Sequence, residues 1–265
     1  MTRHERGQSG SARGRTTARS SSVGPSRVPE PDLPEHLTAD LADRSVHRQL
    51  RTLSKENAEG VARHLLALAE QLEVGDVDTA LAHATTASRR AGRVPIVREM
   101  LGVVYYRRGE WAKALSEFRT ARRLSGSHHL LPLIADAERG LGRPERAVEA
   151  GRGPEVGTLK KDERVELAIV VAGARMDMGQ SESAVASLRE LVEQSADSDP
   201  WAARLYYAFA DALAASGSAG DAEDWLTRAA RLDPAEETDA RERLNLPGKA
   251  DVDGIEAVSD LDQEG

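Results

Sequence analysis

A glycine followed five residues later by an alanine recurs five times along this chain. The pairs are Gly75/Ala80, Gly109/Ala114, Gly142/Ala147, Gly179/Ala184 and Gly217/Ala222, and successive glycines are 34, 33, 37 and 38 residues apart. Apolar residues at helical spacing flank each pair. One such pair in an alanine-rich chain carries no information; five at near-regular spacing define a repeat. The glycine suits the end of one helix, where a left-handed backbone is needed. The alanine sits early in the next helix, where a larger side chain would hold the two helices apart. Each unit is then a helical hairpin with an apolar face that it cannot bury alone. The hairpins before and after it supply the cover, so function is expected on an extended surface rather than in a catalytic pocket.

The hairpin from Pro95 to about Ser127 is the most regular. It places Leu101, Gly102 and Tyr105 before the turn at Gly109, then Trp111, Ala114, Phe118 and Ala121 after it. The last hairpin has Tyr206, Phe209, Ala210 and Leu213, then Gly217, Ala222, Leu226 and Ala229, and closes on "LDP" at 232–234. In these positions the chain resembles the tetratricopeptide repeat (TPR), a degenerate helix-turn-helix unit. The resemblance implies an all-α fold: a right-handed α-solenoid of about five TPR-like helical hairpins with capping helices and disordered tails. Repeats are expected at about 61–94, 95–127, 128–161, 165–200 and 203–236. The first, third and fourth are degenerate. The stripe Leu65, Leu68, Ala69, Leu72 sits about one residue off the family register, and Arg175 stands where an aromatic is usual. The second helix of the third repeat starts at Pro144 and meets Gly151, Gly153 and Pro154, so it must be short.

The two ends of a stack need polar cover. Residues 35–60 read as an N-terminal capping helix region and 237–246 as a C-terminal cap. Residues 1–34 are an Arg/Ser-rich tail with almost nothing to bury, and 247–265 an acidic one; both compositions predict disorder. The Arg-rich start is not followed by the apolar run of a secretory signal, which predicts a cytoplasmic protein. The longest strongly apolar stretch, "LAIVVAGA" at 167–174, is too short to span a bilayer. Cysteine is absent, which excludes disulfides, thiol nucleophiles and thiolate metal sites.

Catalytic signatures are missing. In "GRGPEVGTLKK", 151–161, Gly157 is followed by Thr rather than Lys-Ser/Thr and no strand precedes it, so it is not a phosphate loop. The adjacent His128 and His129 would point about 100° apart on a helix and do not form a metal pair. The other histidines are scattered. The chain is read as non-enzymatic, without catalytic residues, metal or cofactor.

Two surface features remain. Residues 89–123 hold ten cations against three Glu: Arg89, Arg90, Arg93, Arg98, Arg107, Arg108, Lys113, Arg119, Arg122 and Arg123. A solvated helix surface explains such a run, and so would a basic patch for an acidic partner. The ten acids and three bases of residues 235–265 raise the further idea that the C-terminal tail folds back on this stretch. The second feature is aromatic. Tyr105, Trp111, Phe118, Tyr206 and Phe209 match core positions of the repeat, whereas Tyr106 and Tyr207 each follow a core position by one. In the TPR family the first helix of each repeat lines a concave wall that holds peptides or partner helices. By resemblance, Glu99, Val103, Tyr106, Arg107, Asp136, Arg139, Arg204, Tyr207 and Asp211 face that wall here. This set lacks the Lys/Asn clamp that some members use for a C-terminal carboxylate.

The function expected from this reading is protein–protein interaction: an adaptor or scaffold that binds a protein or peptide on the TPR surface, with self-association compatible. The alternative is a nucleic-acid-associated protein that uses the Arg-rich tail and the 89–123 stretch. The net charge of −8 speaks against nucleic acid and anionic membrane as partners.

Overall fold

The computed structural model describes residues 29–246. These form an all-α solenoid, with no strand among them. A 3-10 turn, Ala39–Leu41, and a short helix α1 (Arg44–Leu50) lead into five hairpins. They are α2 (Lys55–Glu73) with α3 (Val77–Ala91), α4 (Pro95–Arg107) with α5 (Trp111–Ser125), α6 (Leu131–Gly140) with α7 (Pro144–Ala150), α8 (Lys161–Asp177) with α9 (Ser181–Gln194), and α10 (Ala202–Ala215) with α11 (Ala219–Arg231). A 3-10 segment, Pro154–Thr158, follows α7, and α12 (Ala240–Arg243) closes the stack.

The glycine–alanine pair acts as the sequence predicts. Gly75, Gly109, Gly142, Gly179 and Gly217 all have φ between 69° and 91°. At every one of these turns the N–H of the residue after the glycine reaches back five positions. Asp76 donates to Gln71 O at 2.9 Å, Glu110 to Tyr105 O at 2.9 Å, Arg143 to Glu138 O at 3.0 Å, Gln180 to Arg175 O at 2.8 Å and Ser218 to Leu213 O at 3.0 Å. This closure satisfies carbonyls that the helix end would otherwise leave bare, and it needs the left-handed residue. The paired alanines are buried: Ala80, Ala114, Ala147 and Ala184 are fully covered and Ala222 nearly so.

Each hairpin packs on the next. The second helix of a unit touches the first helix of its successor throughout, and α2 meets α4, α6 meets α8, and α8 meets α10. Small residues set the spacing. A Cβ on Gly102 of α4 would lie 2.6 Å from the Phe118 ring of α5, and one on Gly140 of α6 would lie 2.5 Å from the Trp111 ring. Phe118, Tyr206 and Phe209 are core residues. Tyr105 and Trp111, expected in the core, are half-buried instead. Trp111 lies over the Gly140 backbone and meets Tyr106 edge-on at 5.1 Å, so it covers an inter-repeat seam rather than filling a hairpin interior.

The third hairpin is the irregular one. Helix α7 has only seven residues, and the chain crosses to α8 through the Pro154–Thr158 turn. Helix α6 therefore contacts α8 as extensively as its own partner. In the degenerate fourth hairpin, Arg175 spans the turn and donates to Ser183 O at 2.6 Å.

The boundaries differ from expectation at the N-terminal end. Helix α2 begins at Lys55, so 55–60 belong to the first hairpin and the cap is confined to the 3-10 turn and α1. Ser54 starts α2 by accepting the Asn57 N–H. Within the expected tail 1–34, Pro34 is tied down: Arg63 Nη2 donates to its carbonyl at 3.1 Å and Nε to Leu37 O at 2.7 Å. Residues 1–28 and 247–265, where the tails are expected, lie outside the described residues.

Candidate interaction groove

The first helices carry a chain of polar links that crosses from hairpin to hairpin. Glu99 of α4 bonds His129 Nε2, just before α6, at 3.1 Å. The Tyr106 hydroxyl of α4 donates to Asp136 of α6. Arg139 of α6 donates to Asp136 at 3.1 Å and, through Nε, to Asp177 of α8 at 2.7 Å. Arg204 of α10 donates to Glu166 of α8 at 3.1 Å through Nε and to Glu237 at 2.6 Å through Nη1. Arg243 of α12 donates to the Tyr207 hydroxyl at 2.9 Å and to Asp211 at 2.5 Å. Side chains this exposed yield little stability per pair, but a run of them fixes neighbouring helices in register.

Between these links lies one groove of about 420 Å³, bounded by residues of α4, α6, α8 and α10 and the turns before them. Its apolar surface comes from Pro132, Leu133, Val170, Pro200 and Trp201. Its polar lining is Tyr106, His129, Asp136, Asp162, Glu163, Glu166 and Arg204. Burial and the hydrogen bond to Asp136 push the Tyr106 phenol far above its ordinary pKa, so it stays a neutral donor. Donation from its Nε2–H to the Glu99 carboxylate raises the pKa of His129. Lys161, on the rim, places its ammonium 4.8 Å from the centre of the Trp201 ring.

The nine residues expected on the concave wall separate into groups. Tyr106, Asp136 and Arg204 line the groove, and Glu99 and Arg139 bind lining residues. Val103 packs into the α4–α6 core beside Tyr106. Arg107 is exposed outside the groove. Tyr207 and Asp211 are engaged by Arg243 at the C-terminal cap, away from the groove. His129, Asp162, Glu163, Glu166 and Trp201 escaped the sequence reading. No motif sets Asp162 and Glu163 apart in the sequence, and His129 figures there only as half of a rejected metal pair. Only their position on a first helix or its lead-in turn could have marked them. The two adjacent histidines precede α6 rather than lying on a helix, and they take different partners: His128 Nδ1 pairs with Thr158 Oγ1 at 3.0 Å and His129 with Glu99, and both residues are half-buried. No group of three metal-ligating side chains occurs among the described residues.

The basic stretch does not form one face. Arg98 is paired with Glu117 at 3.0 Å, Arg119 with Glu138 at 2.5 Å and Arg122 with Glu155 at 3.0 Å. Arg108 binds Asp78 and Glu110, and Lys113 binds Glu110. Arg89 donates to Thr86 Oγ1 at 2.9 Å, and Arg90 is half-buried. Arg93, Arg107 and Arg123 are exposed. Among the described acids after residue 235, Glu236 pairs with Arg241, Glu237 with Arg204 and Asp239 with Arg243, all outside this stretch.

A family model described as tetratricopeptide repeat matches residues 49–129 and 172–237. No curated protein matches. Among solved structures, "MamA RS-1 ArsTM double mutant" aligns with a TM-score of 0.50 at 13% identity, covering 68% of this chain and 97% of that one. "Crystal structure of MamA protein" aligns at 0.48 and 13% identity, covering 67% and 94%. A structure entitled "YrrB: a TPR protein with an unusual peptide-binding site" aligns at 0.45 and 18% identity, covering 74% and 98%.

Proposed function

Because this chain belongs to the tetratricopeptide repeat family, we propose that it is a non-enzymatic adaptor that docks a partner protein in the groove between α4, α6, α8 and α10. One observation carries the reading: the groove is bounded solely by first helices and their lead-in turns, and it joins apolar surface to a polar lining. Protein interfaces combine an apolar centre with a polar rim. The polar links around it hold the wall in place before any partner arrives, which lowers the ordering cost of docking. The nucleic-acid alternative draws little support from the 89–123 stretch, because Arg98, Arg108, Lys113, Arg119 and Arg122 are neutralised by neighbouring carboxylates.

The test is co-purification with the full chain as bait in nuclease-treated lysate. A second bait carries Val170→Arg, which places a long cation over the apolar part of the groove. A stoichiometric protein captured by the first bait and lost from the second is the expected result. A protein retained by both baits would move the docking site to another face. Capture that disappears with nuclease would favour nucleic acid.

A further inference from the structure

We infer that the occupant of this groove is a basic segment of the partner: an extended stretch that lays the aliphatic stem of an arginine or lysine across Leu133 and Val170 and sets its charged head among the carboxylates of α8. This rests on the groove being the docking site, and adds which chemistry it selects.

The argument is one of charge complementarity over an apolar surface. Two arginines of the inner wall are each held between two carboxylates. Arg139 lies between Asp136 and Asp177. Arg204 lies between Glu166 and Glu237. Every such triad leaves one negative charge in excess. The groove lining itself contains four carboxylates and one arginine. Two of those carboxylates, Asp162 and Glu163, form no ion pair with an arginine or lysine among the described residues; Asp162 is exposed, and Glu163 lies near His129. A recess with low-dielectric walls and an excess of one sign of charge, here four carboxylates against Arg204 and His129, concentrates its field and draws the opposite charge. Trp201, at the same edge, already carries one cation on its face, the Lys161 ammonium.

The apolar surface narrows the choice further. An arginine or lysine buries its stem on carbon while its head stays among polar groups, so one side chain satisfies both parts of the lining. An acidic segment would meet like charge, and a purely apolar one would leave the carboxylates desolvated without partners. The location agrees. Pro132, Leu133, Asp136, Asp162, Glu163, Glu166 and Val170 all fall between the two stretches matched by the family model, where the repeat pattern does not dictate the side chains.

The helix start offers a competing explanation for Asp162 and Glu163, because acids in a first turn favour helix formation. The test therefore compares two isoelectric variants. One is Asp162→Asn/Glu163→Gln, in the groove; glutamine keeps an oxygen to accept the Lys160 N–H that Glu163 accepts now. The other is Asp221→Asn/Glu223→Gln, an exposed pair at the start of α11. Full-length protein is used to select a displayed library of random dodecapeptides, and the recovered peptides are titrated against it and both variants at physiological salt. The expected pool is enriched in arginine and lysine beside apolar residues. Its binding weakens about three- to ten-fold in the groove variant and is unchanged in the α11 variant. A pool without basic enrichment, or equal weakening in both variants, overturns the inference while docking in the groove stands. Peptides bound equally well by Val170→Arg, or no recovery above its background, overturn the docking reading itself.

Discussion

His64 of α2 and His83 of α3 meet inside the first hairpin with their Nδ1 atoms 3.0 Å apart, and both rings are almost fully buried. One Nδ1 must carry the hydrogen and the other must accept it, so at least one ring is neutral. Burial lowers the pKa of His83 from its ordinary 6.5. An unfolded histidine therefore takes up a proton before the folded one does. Stability is complete above the unfolded value and falls as the pH drops from there toward the folded pKa. The slope is at most about 1.4 kcal/mol per pH unit for one group. Thermal unfolding followed from neutral to mildly acidic pH should show this loss, and His64→Leu/His83→Leu should flatten it. His129 acts with the opposite sign: its pKa is raised, so its share of stability is lost as the pH rises. An unchanged acid slope in the double variant would assign the loss to other groups.

Two glycines separate backbone strain from steric contact. Gly75 has φ +80° with nothing near its missing Cβ, so Gly75→Ala strains the backbone alone and should cost about 1–2 kcal/mol. Gly102 is an ordinary helical residue with the Phe118 ring against it. Gly102→Ala improves helix propensity but forces α4 and α5 apart, and should cost about 1–3 kcal/mol. Phe118→Leu should relieve part of the second cost and none of the first. Denaturant unfolding of the single and double variants decides this; additivity of Gly102→Ala with Phe118→Leu would exclude the contact as its cause.

Arg119 belongs to the basic stretch, yet its structural partner is the buried Glu138, which also has Arg143 at 3.5 Å. Arg119→Met leaves that carboxylate buried with only the longer Arg143 pair and should cost about 2–3 kcal/mol. Arg119→Met/Glu138→Leu removes both charges and should recover most of the loss. If the single variant is as stable as the parent, the ion pair has no structural role and Arg119 is free for a partner.

The hairpin architecture was legible because one physical demand, a left-handed glycine followed by a helix crossing at alanine, is written in single residues at each turn. The identity of the groove was less so. Tyr106, Asp136 and Arg204 follow from the position of each first helix, but nothing in the sequence distinguishes Asp162, Glu163 and Glu166 from other charged residues until α6 is placed beside α8. That approach depends on α7 being short. The resemblance to the family places Tyr207 and Asp211 on the wall; a final helix of four residues, α12, leaves too weak a pattern to show that Arg243 engages them. The His64–His83 contact joins residues of different helices with no motif between them.

Tyr106 in the groove and Tyr207 at the C-terminal cap predict behaviour at the alkaline end. Burial and hydrogen bonds raise the pKa of Tyr106, and they push Tyr207 up to about 12. The unfolded chain loses phenolic protons near the ordinary value of 10, before the folded chain does. Stability is therefore complete below that value and falls as the pH rises through it toward the folded pKa values. Tyr106→Phe also leaves Asp136 without its hydroxyl donor, which should cost about 1 kcal/mol at neutral pH. At high pH the same variant has one fewer phenol to expose, so its stability should converge on that of the parent. Tyr207→Phe should remove the component of the phenolate absorbance titration that has its midpoint near 12. A constant gap between Tyr106→Phe and the parent across this range would show that the Tyr106 phenol ionises as readily in the fold as outside it, and that the Asp136 contact does not hold its proton.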